Sequence, residues 1–121
     1  MTAPNYDLVS IERAQKLFEK HGIKNPAIII DASHDNSRVN GRKDPLTQDA
    51  IIQTVIDSLR TRPDLKSVVK GFMVESFLKS GSQNIEALRP ETVDYSGLSI
   101  TDPCLGWAET EKLIRTLVGA L

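Results

Sequence analysis

Three consecutive isoleucines stand in the stretch Pro26-Ala27-Ile28-Ile29-Ile30-Asp31, and no polar residue alternates with them. This pattern is typical of a strand that is buried on both faces, as in a parallel sheet. A second stretch, Ser67-Val68-Val69-Lys70-Gly71-Phe72-Met73-Val74-Glu75, is largely apolar and predicts a second buried strand, with Lys70 and Gly71 as exceptions. The chain is therefore expected to contain two parallel strands of one sheet.

Three other segments show the apolar spacing of amphipathic helices, which we predict over residues 7–20, 45–60 and 108–121. Gly22 is suited to a left-handed helix end, and Pro45 is suited to the first position of the second helix. The resulting order, α-β-α-β-α, predicts an α/β fold with βαβ units. The predicted apolar stripes consist of Leu8, Ile11, Leu17 and Phe18, then Ile52, Val55, Ile56 and Leu59, and finally Leu113, Ile114, Leu117, Val118 and Leu121.

The segments between these elements are mostly polar. Residues 33–44 form one predicted loop, and residues 76–107 form a second that is long enough to indicate a functional segment. Two strands make only a small sheet. A sheet generally needs at least three strands or a good helical cover to be stable on its own. The pattern is therefore that of a piece of a larger barrel or open sheet.

The composition and charge of the chain exclude several classes of function. The chain has 121 residues, which corresponds to one domain at most, and its 15 basic and 16 acidic residues give a net charge of −1. A nucleic-acid-binding face would need a basic stripe, and a membrane span would need a much longer apolar run, so neither partner is expected. The single cysteine, Cys104, forms no internal disulfide, and a cytoplasmic location is expected.

Polar residues with metal-binding chemistry follow the predicted strands. His34 follows the first strand, Glu75 ends the second, and Asp102 lies in the loop before the last helix. The carboxyl ends of parallel strands share one edge of a sheet, where active sites are built, so these side chains are expected to approach each other. An imidazole with carboxylates suits a divalent ion such as Mn, Fe, Co or Zn. Taken alone, the same residues also fit a strand-end histidine, a surface glutamate and a capping aspartate.

Three sequence motifs are more specific than this spacing. They are Asp-Ala-Ser-His-Asp-Asn-Ser (31–37), Gly-Phe-Met-Val-Glu-Ser (71–76) and Ser-Ile-Thr-Asp-Pro-Cys-Leu-Gly-Trp (99–107). In their order and spacing they resemble the C-terminal signatures of type I DAHP synthases, the phospho-2-dehydro-3-deoxyheptonate aldolases. Two shorter segments, Pro4-Asn5-Tyr6 and Gly81-Ser82-Gln83, are also similar to family motifs. The resemblance extends over nearly the whole chain, but over only the last third or so of the family's chain.

This resemblance implies that residues 1–121 are a single partial domain, the C-terminal part of a (β/α)8 TIM barrel. It implies an aldolase-type transferase that condenses phosphoenolpyruvate with erythrose 4-phosphate, the first step of the shikimate pathway of aromatic amino acid biosynthesis. By the same resemblance His34, Glu75 and Asp102 are metal ligands, and His34 and Asp102 are catalytic. The metal would polarise the aldehyde of the sugar phosphate, with Asp102 near the incoming sugar.

Parts of the family's site have no counterpart in this chain. The family's fourth metal ligand is a cysteine of the N-terminal barrel, and Cys104 matches a different cysteine that lies near the metal without being a ligand. The arginines and lysines that bind the two phosphates also belong to earlier strands. Arg38, Arg42 and Lys43 lie in the first predicted loop and could contact a phosphate, but we favour the interpretation that they are solvated charges. Trp107 is expected to pack between the last helix and the barrel.

Three hypotheses follow for the chain itself. In the first, it is part of a DAHP synthase and works with a complementary N-terminal chain that supplies the missing strands. In the second, it is an inactive stand-alone remnant that acts as a metal- or protein-binding module. In the third, several copies form a barrel-like homo-oligomer, since unpaired apolar strand edges favour pairing. A native mass several times the 13.4 kDa of one chain would favour the third.

Overall fold

The computed structural model describes residues 3–120 of the chain. Its elements are α1 (Leu8–Lys20), β1 (Ile28–Asp31), β2 (Arg38–Val39), β3 (Arg42–Lys43), α2 (Thr47–Thr61), β4 (Val69–Met73) and α3 (Trp107–Ala120), with 3₁₀ turns at His34–Ser37, Pro63–Ser67 and Ile85–Ala87. The order of the helices and the longer strands is the predicted α-β-α-β-α. Leu121, which we predicted to line the last helix, lies outside the described residues. Within the described residues, no helix is both long enough and apolar enough to cross a membrane.

The two longer strands pair in parallel, as the sequence predicted. Ile30 of β1 lies opposite Phe72 of β4, and Asp31 lies opposite Met73. Both strands are shorter than predicted, since β1 has four residues and β4 has five. Ile30 is buried, whereas Ile29 is 58% exposed. The expectation of burial on both faces is wrong for Ile29, because the two-stranded sheet leaves this side chain in an open groove beside α1.

Helix α1 begins with a side-chain cap and is followed by a glycine. The Asp7 carboxylate accepts a hydrogen bond from the backbone N–H of Ser10 at 3.0 Å, which satisfies one of the free donors of the first turn. Gly22 has φ +60°, the left-handed conformation predicted for the helix end. Of the predicted stripe, Ile11 is buried but Leu17 is exposed, because the N-terminal half of α1 makes the core contacts.

Helix α2 supplies a large share of the core. Three of its predicted stripe residues, Ile52, Val55 and Ile56, are buried. The helix begins at Thr47, so the placement of Pro45 at its first position is wrong. Pro45 lies in the preceding turn, because Thr47 donates hydrogen bonds from its N–H and its hydroxyl to the carbonyl three residues earlier.

Two clusters of buried apolar side chains hold the helices against the sheet. The first consists of Ile11, Ile30, Val55, Leu65, Val68 and Val69, and the second consists of Ala32, Ile51, Ile52, Ile56, Leu105 and Leu113. Burying one large aliphatic side chain contributes about 1.5–3 kcal/mol. The second cluster includes Ala32, directly after β1, and Leu105 of the segment before α3, so it ties that segment to the end of the sheet.

Helix α3 begins at Trp107 and packs through a narrow stripe. Leu113 is buried and Leu117 is half-buried, whereas Ile114 and Val118 are exposed. Trp107 is 58% exposed, so its predicted packing between the helix and the rest of the fold is wrong for the residues described here. These differences share a cause: a two-stranded sheet is too narrow to cover the whole apolar stripe of α3.

The two predicted loops contain more structure than expected. Residues 33–44 form a 3₁₀ turn and a small antiparallel hairpin of β2 and β3. The hairpin tip residues, Asn40 and Gly41, both have positive φ, and such a pair is the signature of a tight hairpin turn. The segment 76–106 is folded back on itself by three isolated β-bridges. These bridges bring the residues before α3 next to the end of β4.

Candidate metal centre

His34 opens the 3₁₀ turn that follows β1. Its backbone has φ +49°, an uncommon conformation for a residue other than glycine. Its Nδ1 lies 2.9 Å from Oδ2 of Asp31, the last residue of β1. A carboxylate that accepts the Nδ1 proton fixes the orientation of an imidazole ring and leaves Nε2 as the nitrogen available for a ligand. In this structure Nε2 is the nitrogen that faces the other two predicted site residues.

Glu75 lies two residues beyond the end of β4. Its Oε1 is 3.1 Å from Nε2 of His34, and its Oε2 accepts a hydrogen bond from the Ser33 hydroxyl at 3.0 Å. Its backbone is held by Gln48, a fully buried residue of α2. The Gln48 amide accepts from the Glu75 N–H at 2.9 Å and donates to the Glu75 carbonyl at 3.0 Å. Both the main chain and the carboxylate of Glu75 are therefore fixed.

Asp102 reaches the centre from the segment before α3. Its Oδ2 lies 3.8 Å from Nε2 of His34 and forms an ion pair with Nζ of Lys43. The segment is anchored to the end of β4, because the N–H of Leu105 donates to the Glu75 carbonyl at 3.0 Å. This anchor places a residue of an irregular segment beside the ends of two strands.

These three side chains form a group with ligand chemistry. One nitrogen of His34 and one carboxylate oxygen each of Glu75 and Asp102 lie within 4.8 Å of one another. Bonds from a metal to such atoms measure about 2.0–2.2 Å, so two ligands of one ion lie at most about 4.4 Å apart. The distances of 3.1 Å and 3.8 Å from His34 to the two carboxylates fall within this limit. The three residues therefore fit a divalent ion with little rearrangement.

The prediction that His34, Glu75 and Asp102 approach each other is confirmed by this geometry. Their roles as metal ligands, and the catalytic roles of His34 and Asp102, stay predictions. All three side chains are half-buried, so the centre is open to solvent on one side. A site of this kind is accessible to a substrate and at the same time limits the freedom of its ligands.

Three further residues around the centre were not anticipated from the sequence. Asp31 orients the His34 ring, and its position three residues earlier, at a strand end, was a usable signal. Gln48 holds the end of β4, but nothing in its local sequence indicates a buried polar partner. Lys43 was interpreted as a solvated charge, and this is wrong because its side chain is 21% exposed and pairs with Asp102.

The other two cations of the first loop are surface charges. Arg38 forms an ion pair with Asp35 at 2.6 Å and donates to the carbonyl of Gly41 at 3.0 Å. Arg42 is exposed. These side chains brace the hairpin or face solvent, so they form no convergent site for a phosphate dianion, which needs several cations directed at one point.

Cys104 lies beside the centre. Its Sγ donates to the backbone carbonyl of Asp102 at 3.4 Å. Burial raises the pKa of this thiol, and the charges of Glu75 and Asp102 act in the same direction. The expected position of Cys104 close to the centre is confirmed by its contact with Asp102, and its place outside the ligand set stays a prediction.

A histidine and a carboxylate at the carboxyl ends of two parallel strands, with a second carboxylate beside them, form a donor set that suits a divalent metal in an α/β fold. Residues 1–115 match the sequence model of the DAHP synthetase I family. The chain belongs to this family, which confirms the resemblance found in the three sequence motifs.

Relatives of known identity match almost the whole chain. A phospho-2-dehydro-3-deoxyheptonate aldolase of Alternaria alternata is 35% identical over 97% of this chain and 29% of its own length. The Tyr-sensitive phospho-2-dehydro-3-deoxyheptonate aldolase of Escherichia coli K12 is 31% identical over 95% of this chain and 30% of its own length. The solved structure of the aldolase of Francisella tularensis SCHU S4 superimposes with a TM-score of 0.79 at 29% identity, covering 98% of this chain and 31% of that one. The chain therefore spans less than a third of the length of these relatives.

Proposed function

We propose that this chain contributes the metal-binding part of a DAHP synthase active site, which condenses phosphoenolpyruvate with erythrose 4-phosphate. The observation that carries the proposal is the convergence of His34, Glu75 and Asp102 at the carboxyl edge of the β1–β4 sheet. Family membership links this arrangement to relatives that are named phospho-2-dehydro-3-deoxyheptonate aldolases. The proposed class is an aldolase-type transferase of aromatic amino acid biosynthesis.

A divalent ion (Mn, Fe, Co or Zn) would be held by Nε2 of His34 and by one oxygen each of Glu75 and Asp102. When bound, such an ion supplies the Lewis acidity that polarises the aldehyde oxygen of the sugar phosphate. One imidazole and two carboxylates suit first-row metals. Three protein ligands also leave positions for a fourth protein ligand, for water and for a substrate.

The neighbouring residues prepare this ligand set. Asp31 holds Nδ1 of His34, and the Ser33 hydroxyl holds Oε2 of Glu75, so that Oε1 is left facing the ring. Ligands that are oriented in advance bind with a smaller entropic cost. Asp102 is the more exposed of the two carboxylates, and we propose that it faces the incoming sugar.

We further propose that residues 1–121 are a single partial domain, the C-terminal part of a (β/α)8 barrel. The parallel β1–β4 pair with α2 between the strands is the repeating unit of such a barrel. The order β1-β4 leaves one edge of each strand unpaired within residues 3–120. A complementary N-terminal segment, or further copies of this chain, would pair with these edges. The complementary segment would also supply the cations for the two substrate phosphates.

The metal site is tested by titrating the chain with Mn(II) in a calorimeter. The parent is expected to bind, and His34→Ala is expected to weaken binding by at least tenfold, since it removes the central ligand. His21→Ala is the matched control, because His21 is an exposed residue at the C-terminal end of α1, away from the centre. Failure of the parent to bind, or equal binding by His34→Ala, would contradict the site.

The reaction itself is tested by complementation. The chain is co-expressed with the portion of the Escherichia coli Tyr-sensitive relative that precedes the matched region, and condensation of the two substrates is assayed. Activity is expected from the pair. No activity is expected from either part alone or from the pair that carries His34→Ala. A chain that binds Mn(II) but never supports condensation would favour the alternative, a metal-binding module without aldolase activity.

A further inference from the structure

Lys43 places a positive charge directly against the candidate centre. Its Nζ pairs with Oδ2 of Asp102, the same oxygen that lies 3.8 Å from Nε2 of His34. The Lys43 side chain is 21% exposed, which is low for a lysine. Arg42, its neighbour on β3, is exposed, as expected when successive residues of a strand point to opposite sides.

The position of Lys43 follows from the hairpin that carries it. Lys43 of β3 is paired with Arg38 of β2, and the backbone N–H of Asp44 donates to the Ser37 carbonyl at 2.9 Å at the base of the hairpin. The hairpin starts directly after the His34–Ser37 turn. Short local connections therefore link the lysine to the same chain segment as the central histidine.

We propose that Lys43 is a positioning residue that acts as an internal cation of the centre. Its ammonium holds Asp102 in place before a metal arrives, and it competes with the metal for the same carboxylate oxygen. The inference rests on the proposed metal site, because it concerns the affinity of that site. The ammonium stays close to the centre when a metal binds, and its positive charge lowers the affinity for a divalent ion.

Lys43 affects the affinity for a metal in two opposing ways: its charge repels the ion, and its ion pair orders Asp102. An ion about 2.2 Å from Oδ2 of Asp102 and an ammonium about 2.8 Å from the same oxygen lie at most about 5 Å apart. At that separation, charges of +2 and +1 repel strongly enough to weaken binding by about tenfold or more, even with the dielectric constant of water. The opposing effect, loss of a partly exposed ion pair that orders Asp102, is worth about fivefold or less. The repulsion is the larger effect.

The test is a Mn(II) titration of the full chain by calorimetry, with three variants. Lys43→Met removes the charge and keeps much of the side-chain length, whereas Lys43→Arg keeps the charge. Arg42→Met removes an equal charge from the exposed side of the same hairpin. Lys43→Met is expected to bind Mn(II) about tenfold more tightly than the parent, and the other two variants are expected to stay within about threefold of it.

Each other outcome overturns the inference in a distinguishable way. Unchanged or weaker binding by Lys43→Met, with a parent that still binds and still needs His34, would leave the metal site intact and assign Lys43 a structural role. An equal gain in Arg42→Met would show a general effect of net charge. No binding by the parent or any variant would contradict the metal site and the inference together. Circular dichroism monitors folding, and Lys43→Gln replaces Lys43→Met if the latter does not fold.

Discussion

Gln48 offers a direct test of how the end of β4 is held. Its side chain is fully buried at the start of α2, and its amide makes two hydrogen bonds to the backbone of Glu75, at 2.9 Å and 3.0 Å. Substitution by methionine keeps a similar length and volume but removes both hydrogen-bonding atoms. Gln48→Met therefore changes the support of Glu75 with little change in packing.

The expected loss of stability can be worked out from the two hydrogen bonds. The Glu75 carbonyl also accepts from the N–H of Leu105 at 3.0 Å, so it keeps a partner in the variant. The Glu75 N–H loses its partner, and an unsatisfied buried donor costs about 1–3 kcal/mol. Loss of the second bond adds about 0.5–1.5 kcal/mol. We expect Gln48→Met to lower the free energy of unfolding by about 1.5–4.5 kcal/mol.

The assay is urea denaturation of the parent and of Gln48→Met, with circular dichroism as the measure of unfolding. Gln53→Met is the matched control, since Gln53 is a half-buried residue on the same helix with no part in the centre. The control is expected to change stability by less than about 0.5 kcal/mol. Calorimetry adds a second readout, because a displaced Glu75 weakens Mn(II) binding in the folded variant.

A loss of less than about 0.5 kcal/mol in Gln48→Met would refute this reasoning, since it would mean that water replaces the amide at no cost. An equal loss in Gln53→Met would also refute it, because the effect would then come from the helix and not from the contact with Glu75. A stable variant with normal Mn(II) binding would show that β4 positions Glu75 without help from α2.

Two further predictions concern the core and the long segment before α3. Ile52 is fully buried, so Ile52→Ala is expected to lower the free energy of unfolding by about 2–5 kcal/mol in urea denaturation, whereas Val9→Ala at an exposed position is expected to change it by less than about 0.5 kcal/mol. The hydrogen bonds from Lys79 and Ser96 lower the pKa of Asp94 from 3.8 to about 2. Its contribution to stability is therefore present above pH 3.8 and is lost as the pH falls through about 2. An NMR titration of the carboxyl group checks this, and Lys79→Met is expected to return the midpoint towards 3.8; an unchanged midpoint would contradict the assignment of the cause.

The order of the elements and the members of the centre were predictable because they depend on local patterns. A run of β-branched residues such as Ile28-Ile29-Ile30 favours a strand, so the strand is visible in the sequence even though Ile29 is exposed. His34 and Glu75 follow from the rule that parallel strands end at one edge of a sheet. Asp102 lies on no strand, so it was included as an acidic residue of the loop before the last helix, and the resemblance of its motif to the family made its grouping with the other two more specific.

The features that sequence reasoning missed depend on contacts between residues far apart in the chain. Gln48 of α2 can be buried because its amide bonds to the backbone of Glu75, just after β4. Glu75 lies 27 residues further along the chain, so this partner is not visible in the local sequence. Lys43 resembles a surface lysine until the hairpin brings it to Asp102, 59 residues away. Trp107 was expected to pack because large aromatic side chains usually do, but the area available for packing depends on how many strands the sheet has.

The parallel pairing of β1 and β4 also determines how quickly the folded state is reached. Ile28 pairs with Val69, so the ladder closes a loop of about 40 residues that contains all of α2. No local hairpin nucleates such a sheet, and the entropy of loop closure is lost before the strand contacts compensate for it. We therefore expect the helices to form early and the β1–β4 ladder to form late. Because His34 and Glu75 depend on these two strands, the centre is then expected to be completed in the slow, non-local step of folding.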